Sequence, residues 1–202
     1  MSKYKEFKDY IVTQPPVNQV LTLAETKDYL KIDSIDEDIY IQQLIDTATD
    51  CFEKYTGRTL INTTYKAFLD KFPPYDQDIK IKRSRFQSLI SLQYYKNKTL
   101  TTLDPILYFI TESNDFSLIT LYNNSNYPIA DCRKQAIQIN FIAGYGANSS
   151  DIPQAIKRAL LSHIAYLYNN AGDCMDDLSD SDKQFKELYM KYKISNYSFS
   201  VL

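Results

Sequence analysis

An α+β fold is what this sequence predicts, with helical segments at both ends and a strand-rich middle. Three observations carry the prediction. Apolar residues recur every three to four positions over residues 22–56, and again over 152–192. Between these stretches, residues 60–143 carry short runs with a period of two, separated by turn residues. Gly57 and the Gly144-Tyr145-Gly146 loop stand at the two changes of period.

The chain opens on a segment whose Gln14-Pro15-Pro16-Val17 fixes an extended backbone, because proline locks φ and restricts the residue before it. A short helix is predicted from Thr22-Leu23-Ala24-Glu25, a capping box in which Thr22 and Glu25 each satisfy a backbone N–H, and ends near Leu30 to Ile32. A second box, Ser34-Ile35-Asp36-Glu37, introduces the next helix, with acidic residues in its first turn where the helix dipole favours them. Ile41, Leu44, Ile45, Ala48, Phe52 and Tyr55 give this helix one apolar face, and Gly57 is its C-terminal stop.

From Leu60 the pattern alternates. Strands are predicted in Leu60–Asp70, before Pro73-Pro74, and then at Ile79–Lys82, Leu89–Tyr95, Leu107–Ile110, Leu118–Tyr122 and Ala136–Ile142. Asn97-Lys98, Asp104-Pro105 and residues 123–128 read as turns, so the middle is expected to be an antiparallel sheet or small sandwich. After the glycine loop, Pro153 suits the first position of a third helix striped by Ile156, Leu160, Ile164 and Leu167 and stopping near Gly172. An acidic linker, 173–182, leads to a last helix carrying Phe185, Leu188, Tyr189 and Tyr192. Beyond Ile194 the chain alternates again, with Tyr197, Phe199 and Val201 against Ser198 and Ser200.

At 202 residues the chain fits one domain, or one domain with a large insertion. Its 44% apolar and 24% charged residues are ordinary for a soluble globular protein. Eighteen tyrosines and ten phenylalanines with no tryptophan are less so. Tyrosine suits surfaces that meet other proteins, and an AT-rich genome enriches the same residue. The formal charge of −2, from 23 basic and 25 acidic residues, argues against a dedicated nucleic-acid binder. Cys51, Cys132 and Cys174 have no ligand-like spacing, which fits a reduced compartment. Neither a signal-peptide pattern nor a membrane-length apolar run occurs, so a soluble protein made in the cytoplasm is expected.

No motif reads as an active site, so neither catalytic residues nor a metal or cofactor are expected. His163, the single histidine, lies on an apolar helix without metal partners or a paired nucleophile, and is expected in a core or interface. Asp33, Asp36, Glu37 and Asp38 lack the glycine of a calcium loop and serve helix capping. Gly144-Tyr145-Gly146 lacks the further glycines and the Lys-Ser/Thr of phosphate loops. Lys80, Lys82, Arg83 and Arg85 form the sole basic run, read as a solvated strand face, with contact to DNA phosphates as the alternative.

Residues 11–16, IVTQPP, followed by 21–33, LTLAETKDYLKID, resemble the opening of the tailed-phage head–tail connector family, also called adaptor or head-completion proteins and found in gene transfer agents. The likeness continues through Leu44–Ala48, Glu53–Leu60, Phe141–Gly146, Ile152-Pro153, Ile156–Leu160, His163–Tyr168 and Leu188–Lys193. The long acidic linker and extended tail after Gly172 depart from it.

The resemblance implies a small helical bundle, two helices N-terminal and two C-terminal, with an antiparallel β insertion between the second and third. Expected boundaries are an arm over 1–21, scaffold over 22–59, insertion over 60–145, scaffold over 146–193 and a docking tail over 194–202. It further implies a ring of twelve copies beneath the portal of a virion. That ring would extend the DNA channel without sequence-specific binding and receive a stopper or tail-completion protein, away from any membrane. Tyr192, Lys193, Ile194, Tyr197, Phe199, Val201 and Leu202 are the residues expected to dock on the portal, since an extended segment can add to a partner's sheet. Apart from the resemblance, Lys80, Lys82, Arg83 and Arg85 are the candidates for a DNA-facing role, the alternative to a solvated strand face.

Overall fold

Local signals set the first two helices. Thr22 accepts a hydrogen bond from the Glu25 N–H at 3.1 Å and caps α1, Leu23–Leu30, which Lys31 closes in the left-handed region at φ 59°. The Glu25 carboxylate does not complete the reciprocal box; it pairs with Lys157 Nζ at 3.0 Å. Ser34 is likewise not a helix cap. Its hydroxyl accepts from the Asp36 N–H in a local turn, and α2, Asp38–Thr56, begins after Glu37. Gly57 ends α2 at φ 73°, its N–H bonded to the Glu53 carbonyl, as its position in the sequence predicts.

The computed structural model describes residues 10–74, 77–83, 85–113, 115–122, 126–170 and 185–194. The chain divides into two compact units: Met1–Pro16 with Asn62–Gly144, and Val17–Ile61 with Tyr145–Leu202.

Among the described residues the first unit is built of β-strands, with one 3-10 turn at Pro105–Leu107. Its strands are β1 (Tyr10–Gln14), β2 (Thr63–Leu69), β3 (Ile79–Ile81), β4 (Phe86–Lys96), β5 (Thr99–Thr102), β6 (Tyr108–Glu112), β7 (Ser117–Leu121) and β8 (Ile137–Ala143). Five form an antiparallel sheet in the order β1-β2-β8-β4-β5, and three form a second in the order β3-β7-β6. β2 and β8 alternate buried and half-buried residues along their full lengths, the period of two that the sequence displays. Their buried faces meet those of β3, β4 and β7 in one core that includes Ala67, Leu69, Ile79, Ile81, Leu92, Ile119, Ile137 and Ile139. Two features differ from the sequence reading. Residues 10–14, assigned to an arm, are an edge strand paired with β2 in the register Tyr10↔Ala67 and Val12↔Tyr65. β5 is a further strand, joined to β4 through the Asn97-Lys98 turn. The β part is therefore larger than an insertion between the second and third helices, and it draws one strand from the N-terminal segment.

The second unit is helical: α1, α2, α3 (Gln154–Asn169) and a short helical stretch at 185–190, here α4. Pro153 stands at the N-cap of α3, one position before the expected N1, behind a 3-10 turn at Ser149–Asp151. The helix ends at Asn169, before Gly172. The core joins Leu21, Ile41, Ile45, Ala48, Phe52 and Leu60 with Ile156, Leu160, Ile164, Phe185 and Tyr189. No described helix is long and apolar enough to cross a membrane.

Candidate docking surfaces

The C-terminal end of α2 organises one candidate surface. The Thr56 hydroxyl donates to the Phe52 carbonyl at 2.7 Å and accepts from the Arg58 N–H at 3.2 Å, while the Glu53 carboxylate accepts from the Leu60 N–H at 2.7 Å. The last two bonds satisfy backbone N–H groups just past the end of α2. They leave the Thr56 carbonyl for a distant partner, the Ile194 N–H, at 2.8 Å. Arg58 Nε donates to the Tyr192 carbonyl, and the Ile194 side chain lies over Gly57.

Aromatic packing fixes the same segment. The Tyr189 ring stands edge-on to Phe52 at 4.8 Å, and the Tyr192 ring lies 5.8 Å from Phe52. His163 is buried, stacked on Phe185 at 4.1 Å, with Nδ1 2.8 Å from the Tyr189 hydroxyl. Burial pushes the Tyr189 hydroxyl well above its ordinary pKa, so it stays protonated beside His163. His163 is thus a core residue, as its position on an apolar helix predicts.

Of the seven residues expected to dock on a portal, Tyr192, Lys193 and Ile194 are described. Tyr192 and Ile194 are half-buried against α2, and Lys193 Nζ lies 4.9 Å over the Tyr55 ring. These three hold the chain to its own helical unit. Tyr197, Phe199, Val201 and Leu202 lie outside the described residues, as do Cys174 and the acidic linker 173–182.

The basic run does not form one charged strip. Lys80, between buried Ile79 and Ile81, sits with Nζ 4.1 Å over the Phe116 ring. The Lys82 N–H donates to the Tyr10 hydroxyl at 3.0 Å. Arg83 packs its guanidinium over Tyr65 at 4.9 Å and Tyr10 at 5.6 Å. Arg85 is exposed at φ 59°, and its carbonyl accepts from the Gly144 N–H. Half-buried cations on aromatic faces contribute to packing. Among the described residues, no three His, Cys, Asp or Glu side chains gather as a metal site would require.

A third feature escaped the sequence reading: the two edges of the five-stranded sheet. β1, Tyr-Ile-Val-Thr-Gln, and β5, Thr-Leu-Thr-Thr, carry no charged residue, and Ile11, Val12 and Leu100 are exposed. The signal lies in the strand-forming run Tyr10-Ile11-Val12-Thr13, which stands just before Pro15 and Pro16.

Residues 20–104 match the family model of phage gp6-like head–tail connector proteins. Over that stretch the chain is similar to head–tail connector proteins. The fold extends the likeness to nearly the whole chain. A chain from the neck of an empty gene transfer agent particle, reconstructed with C6 symmetry, matches with a TM-score of 0.76 at 16% identity, over 94% of this chain and 97% of that one. A chain from the virion of a native gene transfer agent particle matches at 0.75 and 16%, over 93% and 96%. Another, from the neck of a native particle reconstructed with C12 symmetry, matches at 0.64 and 14%, over 93% and 97%. At these identities the likeness is one of fold. No curated protein matches the sequence.

Proposed function

We propose that this connector is a structural subunit of the virion neck, acting through geometry and docking and carrying out no chemistry. The connector-family match over residues 20–104 carries the reading. The near full-length fold likeness to gene transfer agent neck chains supports it. Twelve copies form a ring beneath the portal and extend the channel through which DNA passes. The face away from the portal receives the stopper or tail-completion protein. The chain is made in the host cytoplasm and ends in the head–tail junction.

The segment beyond Ile194 is the portal-docking element, with Tyr197, Phe199, Val201 and Leu202 entering the partner by strand addition. Residues 185–194 set its starting point: the Ile194 N–H on the Thr56 carbonyl and the rings of Tyr189 and Tyr192 on Phe52 hold the base of the tail to α2. Such anchoring lowers the ordering entropy that a docking tail loses on binding.

The decisive experiment mixes purified protein with portal and images the product by electron microscopy. A ring under the portal is expected. Removing residues 195–202 should abolish attachment while the circular dichroism of the helices is retained. Portal binding that survives the deletion takes the tail out of the mechanism; no ring with either protein sinks the reading itself.

A further inference from the structure

We infer that neighbouring copies of this chain join edge to edge through their five-stranded sheets, β5 of one copy pairing in parallel with β1 of the next. The inference rests on the ring-forming reading above. It begins from the two outer strands, β1 and β5, at opposite ends of one sheet.

An outer strand presents a row of backbone N–H and C=O groups that can template another strand, and soluble proteins blunt such edges with lysine, proline or inward-pointing charge. Neither edge strand contains a lysine, a proline or another charged residue, although β1 has a register shift between Val12 and Gln14 and β5 is short. β1 reads Tyr10-Ile11-Val12-Thr13-Gln14 and β5 reads Thr99-Leu100-Thr101-Thr102, nine residues rich in strand-forming types and without a charge. Ile11 is 51% exposed, Val12 48% and Leu100 37%, so apolar side chains on both edges are open to a partner. Pro15 and Pro16 follow the strand instead of interrupting it.

The partner's identity follows from topology. Every pairing in the sheet is antiparallel and the strands number five. β1 and β5 therefore run in the same direction. Pairing two β1 edges about a two-fold axis would make a closed dimer. Pairing β5 with the next copy's β1 instead uses two different surfaces on each copy, which is the heterologous contact that a ring requires. Under cyclic symmetry each copy keeps its sense in the sheet, so the new ladder is parallel. The edges also match in length, five residues against four.

The test places cysteines on the two edges in a background with Cys51, Cys132 and Cys174 changed to serine. Val12→Cys is combined with Leu100→Cys or with Thr101→Cys, so that either side of the ladder is sampled. Each full-length variant is assembled on portal and oxidised, then run on a non-reducing gel. One of the two double variants should give a ladder of multimers, while Val12→Cys alone stays monomeric. A second variant carries Val12→Lys with Thr101→Lys, which sets like charges opposite one another. It should lose ring formation while keeping the circular dichroism of the parent. A disulfide dimer from Val12→Cys alone would overturn the proposal in favour of a two-fold contact. Rings on the portal with neither disulfide, or rings that tolerate the lysine pair, would overturn the edge contact and leave the connector reading standing. Failure of the parent protein to form rings at all would remove both.

Discussion

In the helical unit the buried interior keeps polar partners: His163 against Tyr189, Lys157 against Glu25, and Thr56 against the Phe52 carbonyl. In the β unit the interior is aliphatic strand faces closed by rings, with Phe141 stacked on Tyr65 at 5.6 Å and on Phe86 at 6.1 Å, and Tyr10 edge-on to Phe141 at 5.8 Å. The contrast separates two ways of specifying one arrangement. A buried polar group is costly unless its partner is in place, so the His163–Tyr189 and Lys157–Glu25 pairs each tolerate a single docking of α1, α3 or α4. A sheet is specified by register, because a slip of one residue would turn Tyr65, Ala67 and Leu69 out of the core. The first device positions the base of the C-terminal tail. The second positions the edges β1 and β5.

The largest expected effects come from emptying each core in turn. Phe52→Ala and Phe141→Ala should each cost about 3–5 kcal/mol, since both rings are fully buried. Phe52 supports Tyr189 and Tyr192, so its loss should speed amide hydrogen exchange in α2, α3 and residues 185–194 while β8 keeps its protection. Phe141→Ala should do the reverse. Exchange that rises equally in both regions with either variant would show one cooperative unit and dissolve the contrast.

Gly144→Ala should come next, at about 2–4 kcal/mol. The residue lies at φ 152°, and a Cβ there would sit 2.5 Å from the Asn62 backbone nitrogen, where the chain enters the β unit. Urea titration followed by tyrosine fluorescence would measure it; a midpoint close to the parent's would mean that the entry and exit of the β unit can separate freely.

Tyr189→Phe tests the polar device directly. It keeps the ring on Phe52 and removes only the hydroxyl bonded to His163 Nδ1, at an expected cost of about 1–3 kcal/mol. Trypsin cleavage after the lysines in 185–194 should accelerate before global unfolding does. An unchanged cleavage rate would assign the placement of that segment to ring packing alone.

What could be read from the sequence tracks the range of the signal. Thr22, Gly57 and the alternation in β2, β3 and β8 act within a few residues of themselves, and each element formed where expected. The Ser34 box failed because a serine two residues before an acidic residue also satisfies a local turn, which the sequence cannot separate from a cap. β1 is hidden because its partner β2 lies 50 or more residues along the chain, whereas β5 pairs with the adjacent β4 and is hidden because Thr99-Leu100-Thr101-Thr102 is short and carries a single apolar residue. The packing of Arg83 is hidden for the same reason as β1: Tyr10 and Tyr65 are brought to it by strand pairing. For the docking surfaces, alternation beyond Ile194 was visible, but the intramolecular use of Tyr192 and Ile194 was not.

The smallest effect concerns the hairpin that presents β5. Asn97 and Lys98 both have positive φ, 52° and 64°, the backbone of a two-residue turn that favours Asn-Gly. Lysine is tolerated there because the Asp131 carboxylate accepts from both turn N–H groups, at 2.9 and 2.7 Å. Lys98→Gly keeps those bonds and removes the side chain's conflict with the left-handed region, but it also frees the unfolded chain. The first term should win by about 0.5–1 kcal/mol, because lysine has little access to this conformation and glycine adopts it readily. A small rise in the melting midpoint is therefore expected, with the β4–β5 amides exchanging more slowly. A fall instead would mean that Asp131 already holds the turn so firmly that the glycine's extra freedom in the unfolded state decides the balance.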